Sequence, residues 1–344
     1  MIPQTAQILG KLALSEPETA EVAPIAATEG QALTVADGQV ADCQVGACLA
    51  PLAQSPGVLA IVTAVEGPSY RPLGAVMSFV GEHRFGALSS GCIEADLARH
   101  AETALQRAEP RLLRYGAGSP FFDIRLPCGG GLEILLVPCP DPEVLAKALA
   151  AHQARLPFAL LFDLTEGLIG VETGSDCTGE TGALAGNGWR FRVLVRPEPR
   201  FLVFGKGPEA MIFAGLARAA RFPVELLSHD PETLAEARRA GIDVRAIGTA
   251  LPELAIDRWT AALLFYHDHD REPPLLRDLL TTPAFYIGAQ GSQLARAGRD
   301  AELRALGVSE PAMARLRGPI GLIPSTRDPR LLAISVLAEV LSLV

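Results

Sequence analysis

The chain has 344 residues, 49% of them hydrophobic and 20% charged, a globular balance that excludes a disordered polypeptide and leaves room for two separately cored domains. Its formal net charge is −9 with no basic block, which lacks the electrostatic footprint of a nucleic-acid binder, so no nucleic-acid partner is expected. No apolar run approaches the roughly 20 residues of a bilayer span, and Met1-Ile2-Pro3-Gln4-Thr5 starts no basic-then-apolar leader, so a cytoplasmic protein without a membrane span is expected.

Residues 1 to 55 are rich in Ala, Glu, Gln and Pro and contain no aromatic residue; they read as a poorly determined arm with one helix-like stretch near Ile8 to Leu14. From Val58 short apolar runs bounded by Gly and Pro predict strands at Val58 to Val65, Val76 to Val80 and Arg84 to Leu88. Apolar residues at Ile93, Leu97, Ala101, Ala104 and Leu105 recur at helical spacing and predict a helix over 93–107. Strands follow at Leu112 to Tyr115, Phe122 to Leu126 and Leu132 to Val137, then a helix at Pro142 to Gln153 and strands at Phe158 to Leu164 and Phe191 to Val195. These elements make a mixed α+β domain over 56–198, closed by Arg196-Pro197-Glu198-Pro199.

A second domain, 199–344, begins with the strand Phe201 to Phe204, a glycine turn, a helix over Pro208 to Ala220 and a strand over Val224 to Leu227, which is a βαβ unit. Alternation continues with a helix at Pro231 to Ala240, a strand at Ala261 to Tyr266, a helix at Pro274 to Leu280, a strand at Ala284 to Ile287 and a last helix at Arg330 to Leu343. The fold class is therefore α/β, an N-terminal α+β domain followed by a Rossmann-like domain with a mostly parallel sheet.

The turn Gly205-Lys206-Gly207-Pro208-Glu209-Ala210 follows a strand and opens a helix, so its glycines and the helix start favour a phosphate. Asp230 stands about 25 residues after Gly205, near the end of the second strand, where an acid can reach a ribose. His267 and His269 flank Asp268 just past an apolar strand and point the same way in extended backbone; with no third ligand at motif spacing, hydrogen bonding is favoured over a metal. Gly288-Ala289-Gln290-Gly291-Ser292 reads as a further glycine turn at this edge, with Gly291 and Ser292 closing the crevice.

In the first domain, Cys92 lies at a predicted helix start, where the helix dipole favours a thiolate able to bind a soft metal or handle sulfur. Cys128 precedes Gly129-Gly130-Gly131, backbone that a ligand can approach closely. Arg71 offers a fork-shaped cation for phosphate or carboxylate, and Glu94 in the first helical turn complements the dipole. All six cysteines, at positions 43, 48, 92, 128, 139 and 177, are irregularly spaced with no C-x-x-C pair, which fits free thiols.

Taken in order, Gly67-Pro68-Ser69-Tyr70-Arg71-Pro72-Leu73-Gly74-Ala75-Val76-Met77, Gly86-Ala87-Leu88-Ser89-Ser90-Gly91-Cys92-Ile93-Glu94 and Cys128-Gly129-Gly130 with Leu132-Glu133 resemble the xanthine dehydrogenase accessory protein family of the XdhC/CoxI type. The second domain is similar at Phe204-Gly205-Lys206-Gly207, His267-Asp268-His269, Tyr286-Ile287-Gly288 with Gly291-Ser292, and Gly318-Pro319-Ile320-Gly321-Leu322. It departs from the family pattern at Lys206, Pro208, Glu232, Glu272, Gln293 and Pro324-Ser325, all on the Rossmann ligand side. The resemblance implies a chaperone that is not itself an enzyme. Such a protein binds the molybdenum cofactor, presents it to a cysteine desulfurase for sulfuration, helps insert it into a molybdenum hydroxylase of the xanthine dehydrogenase type, and forms a homodimer. Arg71, Cys92, Glu94, Cys128, Gly129 and Gly130 are then the expected cofactor-binding residues of the first domain. Gly205, Gly207, Asp230, His267, His269, Gly291 and Ser292 are those of the second, where a nucleotide is the other possible ligand. The competing reading is an NAD(P)-dependent oxidoreductase using the Rossmann domain, although no hydride-transfer acid or base can be assigned.

Overall fold

A computed structural model describes residues 45–89, 91–116, 119, 129–174, 177–184, 190–266 and 271–344. The helix expected near Ile8 and the strand expected at Phe122 to Leu126 lie outside them. In chain order the first part comprises α1 (Val45–Leu52), β1 (Val58–Glu66), β2 (Val76–Val80), β3 (His83–Gly86), α2 (Glu94–Arg107), β4 (Arg111–Gly116), β5 (Gly131–Pro138), α3 (Pro142–Gln153), β6 (Phe158–Asp163), β7 (Gly167–Thr173), β8 (Gly182–Ala183) and β9 (Arg190–Val195).

β1 to β5 form an antiparallel sheet in the order β3-β2-β1-β5-β4. Its apolar runs are continuous because both faces are covered. Val58, Ala60 and Val62 pack with Ile93, Leu97, Ala101 and Ala104 under α2, whereas Leu59 and Ile61 on the opposite face pack with α1, α3 and a second antiparallel sheet. That second sheet runs β7-β6-β9-β8, with Phe158, Leu160, Phe162 and Phe191 turned inward.

The remaining elements are β10 (Arg200–Gly205), α4 (Gly207–Ala219), β11 (Val224–Ser228), α5 (Pro231–Arg239), β12 (Asp243–Ala246), β13 (Thr260–Phe265), α6 (Glu272–Leu279), β14 (Tyr286–Ala289), α7 (Gln293–Ala305), α8 (Glu310–Met313), β15 (Leu316–Arg317) and α9 (Pro329–Leu341). Six strands line up all-parallel as β12-β11-β10-β13-β14-β15. The chain thus runs outward from β10 on one side and from β13 on the other, so the order reverses between these two strands. That is the Rossmann arrangement, in which the crevice opens at the carboxyl ends of the two central strands. Phe201, Val203, Ala261 and Leu263 face α4, α5 and α9; Leu202, Phe204, Ala262 and Leu264 face α6 and Leu303 of α7.

The two parts are tied by Arg155, just past α3, whose guanidinium donates to Asp257 at 2.6 Å and to the Glu198 carbonyl at 3.0 Å. No helix among the described residues is long and apolar enough to cross a membrane.

Candidate functional site

Strand direction gathers the first-domain motifs. Ile61 pairs with Val76, Met77 with Gly86, and Gly131 with both Glu66 and Gly116. β1, β3 and β4 therefore finish, and β2 and β5 begin, at one end of the five-stranded sheet. The segments 67–75, 87–93 and 129–130 all emerge there. Gly130 lies so close to the first of them that a Cβ would overlap the Pro68 carbonyl oxygen; only glycine lets the two backbones meet. Within that segment the Ser69 hydroxyl donates to the Arg71 carbonyl at 2.7 Å. The Arg71 Nε is buried and has no hydrogen-bond partner, whereas Tyr70 beside it is exposed. Cys128 lies outside the described residues.

Cys92 is exposed, but it does not stand at the helix start as its sequence position suggests. α2 begins at Glu94 with Ile93 as the preceding cap residue, and the Cys92 N–H donates to the Ser89 hydroxyl oxygen at 2.9 Å. Glu94 does more than complement a dipole. One carboxylate oxygen accepts from the Leu88 and Ser89 N–H groups at 3.2 and 2.7 Å; the other accepts from the Ser89 hydroxyl at 2.5 Å and the Ile93 N–H at 3.2 Å. The carboxylate thereby holds Leu88, Ser89 and Ile93 directly and Cys92 through the Ser89 hydroxyl, and it is buried rather than offered to a ligand.

Burial works to raise the Glu94 pKa, but the hydrogen bonds from Ser89 and its neighbours outweigh it and hold the group below the ordinary glutamate value. A depressed folded-state pKa contributes stability above the unfolded value and loses it as pH falls through the folded one. Glu94→Gln is therefore expected to flatten the stability curve below about pH 4.3, as measured by denaturant unfolding at stepped pH. An unchanged acid limb would contradict this role.

In the second domain, Gly205 has φ +151°, and a Cβ there would overlap the Phe265 carbonyl oxygen. Gly207 has φ +78°; Lys206 between them is extended, exposed and caps α4 without a side-chain bond. The Gly207 N–H donates to the Thr233 hydroxyl at 3.3 Å, and that hydroxyl donates to Asp230 at 2.6 Å. Asp230 also accepts from the Thr233 N–H at 2.8 Å. It is the N-cap of α5, two residues beyond the end of β11, and these bonds, with Lys206 nearby, lower its pKa. One oxygen of the acid expected to reach a ribose is thus committed to a helix cap.

His229 and Tyr266, at the ends of β11 and β13, stack at 5.8 Å between ring centroids. Neither stands out in the sequence, since each is a single aromatic residue at a strand end. His267 and His269 lie outside the described residues. β14 runs to Ala289, so Gly288 and Ala289 belong to the strand and the turn starts only at Gln290. Gly291 has φ +145°, and Ser292 caps α7 by accepting from the Ala295 N–H at 3.2 Å. This turn is held from below by Arg299, which donates to the Gln290 carbonyl at 2.6 Å and to Glu272 at 2.9 Å. Arg299 is not legible as a site-shaping residue in the sequence because it sits on α7, a helix with few inward apolar residues to mark its period.

The site residues thus fall into groups: Arg71, Cys92, Glu94, Gly129 and Gly130 at one sheet end, Gly205, Gly207 and Asp230 at the Rossmann turn, and Gly291 with Ser292 two strands further along. Among the described residues no three His, Cys, Asp or Glu side chains are grouped as a metal centre requires.

A family model described as the XdhC Rossmann domain matches residues 201–340, and one for the XdhC and CoxI family matches residues 52–116. The chain is 33% identical over 290 residues to the molybdenum cofactor insertion chaperone PaoD of Escherichia coli, covering 83% of this chain and 82% of that protein. It is 24% identical over 324 residues to a probable xanthine dehydrogenase subunit of Bacillus subtilis, covering 84% of this chain and 93% of that protein. A solved structure from Bacillus halodurans, described as a xanthine dehydrogenase, shares the fold with a TM-score of 0.68 at 23% identity, covering 86% of this chain and 94% of that one.

Proposed function

Because the chain belongs to the XdhC and CoxI family, we propose that it binds the molybdenum cofactor, assists its sulfuration by a cysteine desulfurase and inserts it into a molybdenum hydroxylase of the xanthine dehydrogenase type. The observation that carries this reading is the convergence of three motif loops on one sheet end, with Cys92 exposed and the Arg71 Nε buried without an acceptor. The cofactor brings a phosphate and dithiolene-bound molybdenum. A guanidinium fork suits the phosphate, and soft sulfur ligands suit the metal. In this reading Arg71 takes the anion, Cys92 and Cys128 flank the metal end, Gly129 and Gly130 allow close approach, and Glu94 positions the Cys92 loop without touching the cargo.

The domain 199–344 supplies a second anion site at Gly205 and Gly207, with Asp230, His267, His269, Gly291 and Ser292 around the crevice, and it joins the 56–198 domain near residue 198. The working unit is a homodimer in the cytoplasm. A nicotinamide-dependent oxidoreductase is the second reading, favoured by the strand order and the Gly205 turn; the use of Asp230 as a helix cap weighs against it. Incubating the purified chain with molybdopterin, followed by gel filtration, tests the first reading: pterin should travel with the protein, and free elution of all of it would refute cofactor binding.

A further inference from the structure

We infer that a cavity beside the last two strands of the Rossmann sheet binds a nucleoside monophosphate, at a site separate from the glycine turn. The cavity measures about 570 Å³, within the range of small-molecule sites. It lies against the turn after β14 and the segment after β15. Those strands stand two and three places from β10, about 10 to 14 Å across the sheet at the usual strand spacing.

Three features of its lining select the ligand. Ile320, Ile323 and Leu332 form an apolar wall, and Ile323 remains 44% exposed, an apolar surface suited to a flat ring. Gln290 lines the cavity, and its side-chain oxygen is buried with no hydrogen-bond partner, an acceptor that a base amino or ring N–H would satisfy after a small turn of the side chain. Arg327 and Thr326 both line the cavity, and Arg327 makes no ion pair or hydrogen bond among the described residues; a guanidinium and a hydroxyl in one lining suit a phosphate.

The wall is also preformed. The Ser335 hydroxyl accepts from the Ile323 N–H at 2.6 Å, and the Glu339 carboxylate accepts from the Gly321 N–H and, at 2.9 Å, from the Tyr286 hydroxyl. Residues 321–323, which carry the apolar wall's Ile323, are thus fastened to α9 before any ligand arrives, which lowers the ordering cost of binding.

Calorimetric titration of the full chain with AMP, CMP and GMP, beside adenosine and inorganic phosphate, tests the inference. At least one nucleotide should bind with a dissociation constant of about 1 mM or tighter, and its nucleoside and phosphate fragments at least about tenfold more weakly. Arg327→Ala and Ile323→Asp, both at exposed positions, should each weaken nucleotide binding about tenfold with an unchanged melting curve. No saturable nucleotide binding would overturn the inference. So would phosphate binding as tightly as the nucleotide, or binding lost in Lys206→Ala but kept in Arg327→Ala, which would assign it to the glycine turn. The lining shares Gly291 and Ser292 with the crevice proposed above, so the titrations use a chain free of molybdopterin, and molybdopterin retention, which turns on Arg71 and Cys92, is read separately.

Discussion

Arg299→Ala is expected to destabilise the Rossmann domain by about 3–5 kcal/mol, because it takes a buried guanidinium away from a buried carboxylate. The Arg299 and Glu272 side chains are each only 2% exposed and meet at 2.9 Å. The same guanidinium also carries the Gln290 carbonyl, so its loss frees the turn bearing Gly291 and Ser292 as well. The expected result is a large fall in the urea midpoint with little change in slope. Replacing both partners by apolar residues, Arg299→Met with Glu272→Leu, should recover most of the loss, since the penalty lies in keeping the carboxylate charge buried after its guanidinium is gone. A loss under about 1 kcal/mol in the single variant would place the pair in contact with water and contradict its burial.

Gly205→Ala should have a comparable effect for a steric reason. Gly205 combines φ +151° with a Cβ position that overlaps backbone, the Phe265 carbonyl oxygen of the neighbouring strand. Neither conformation nor space can be relieved by turning a side chain. Backbone strain of about 1–3 kcal/mol adds to an overpacking penalty of about 1–3 kcal/mol. Thermal unfolding should show the loss, and any anion binding at the turn should weaken with it. Gly215, half-buried on α4, has open space at its Cβ, so Gly215→Ala serves as a control expected to be neutral or slightly stabilising. Equal melting temperatures for Gly205→Ala and Gly215→Ala would contradict the close approach of β10 and β13.

What is legible in the sequence follows burial. Strands covered on both faces, β1, β5, β10 and β13, are continuous apolar runs, and their predicted bounds fall within a residue or two of where they lie. α1 escapes notice inside the supposed arm because Val45-Gly-Ala-Cys-Leu-Ala-Pro-Leu is apolar throughout, with Pro51 inside it, so no period stands out. β12 is a polar edge strand of four residues. α7 buries little beyond Leu303, so its period is faint although it carries Arg299. The motif loops are legible as glycines and cysteines. Their gathering at one sheet end depends on strand direction and register, which local patterns do not encode. The roles of Glu94 and Asp230 are also hidden, because a carboxylate in a first helical turn or at a strand end looks the same whether it faces a ligand or folds back onto backbone N–H groups.

The most direct measurement of where the cargo binds is the amount of molybdopterin retained per chain after gel filtration, compared between the wild-type protein, Cys92→Ser and Arg71→Gln. Near-stoichiometric retention by the wild type and strong loss in both variants, with unchanged folding, is the expected result. Equal retention in all three proteins would contradict the assignment of the cargo site to the sheet end that carries Arg71 and Cys92.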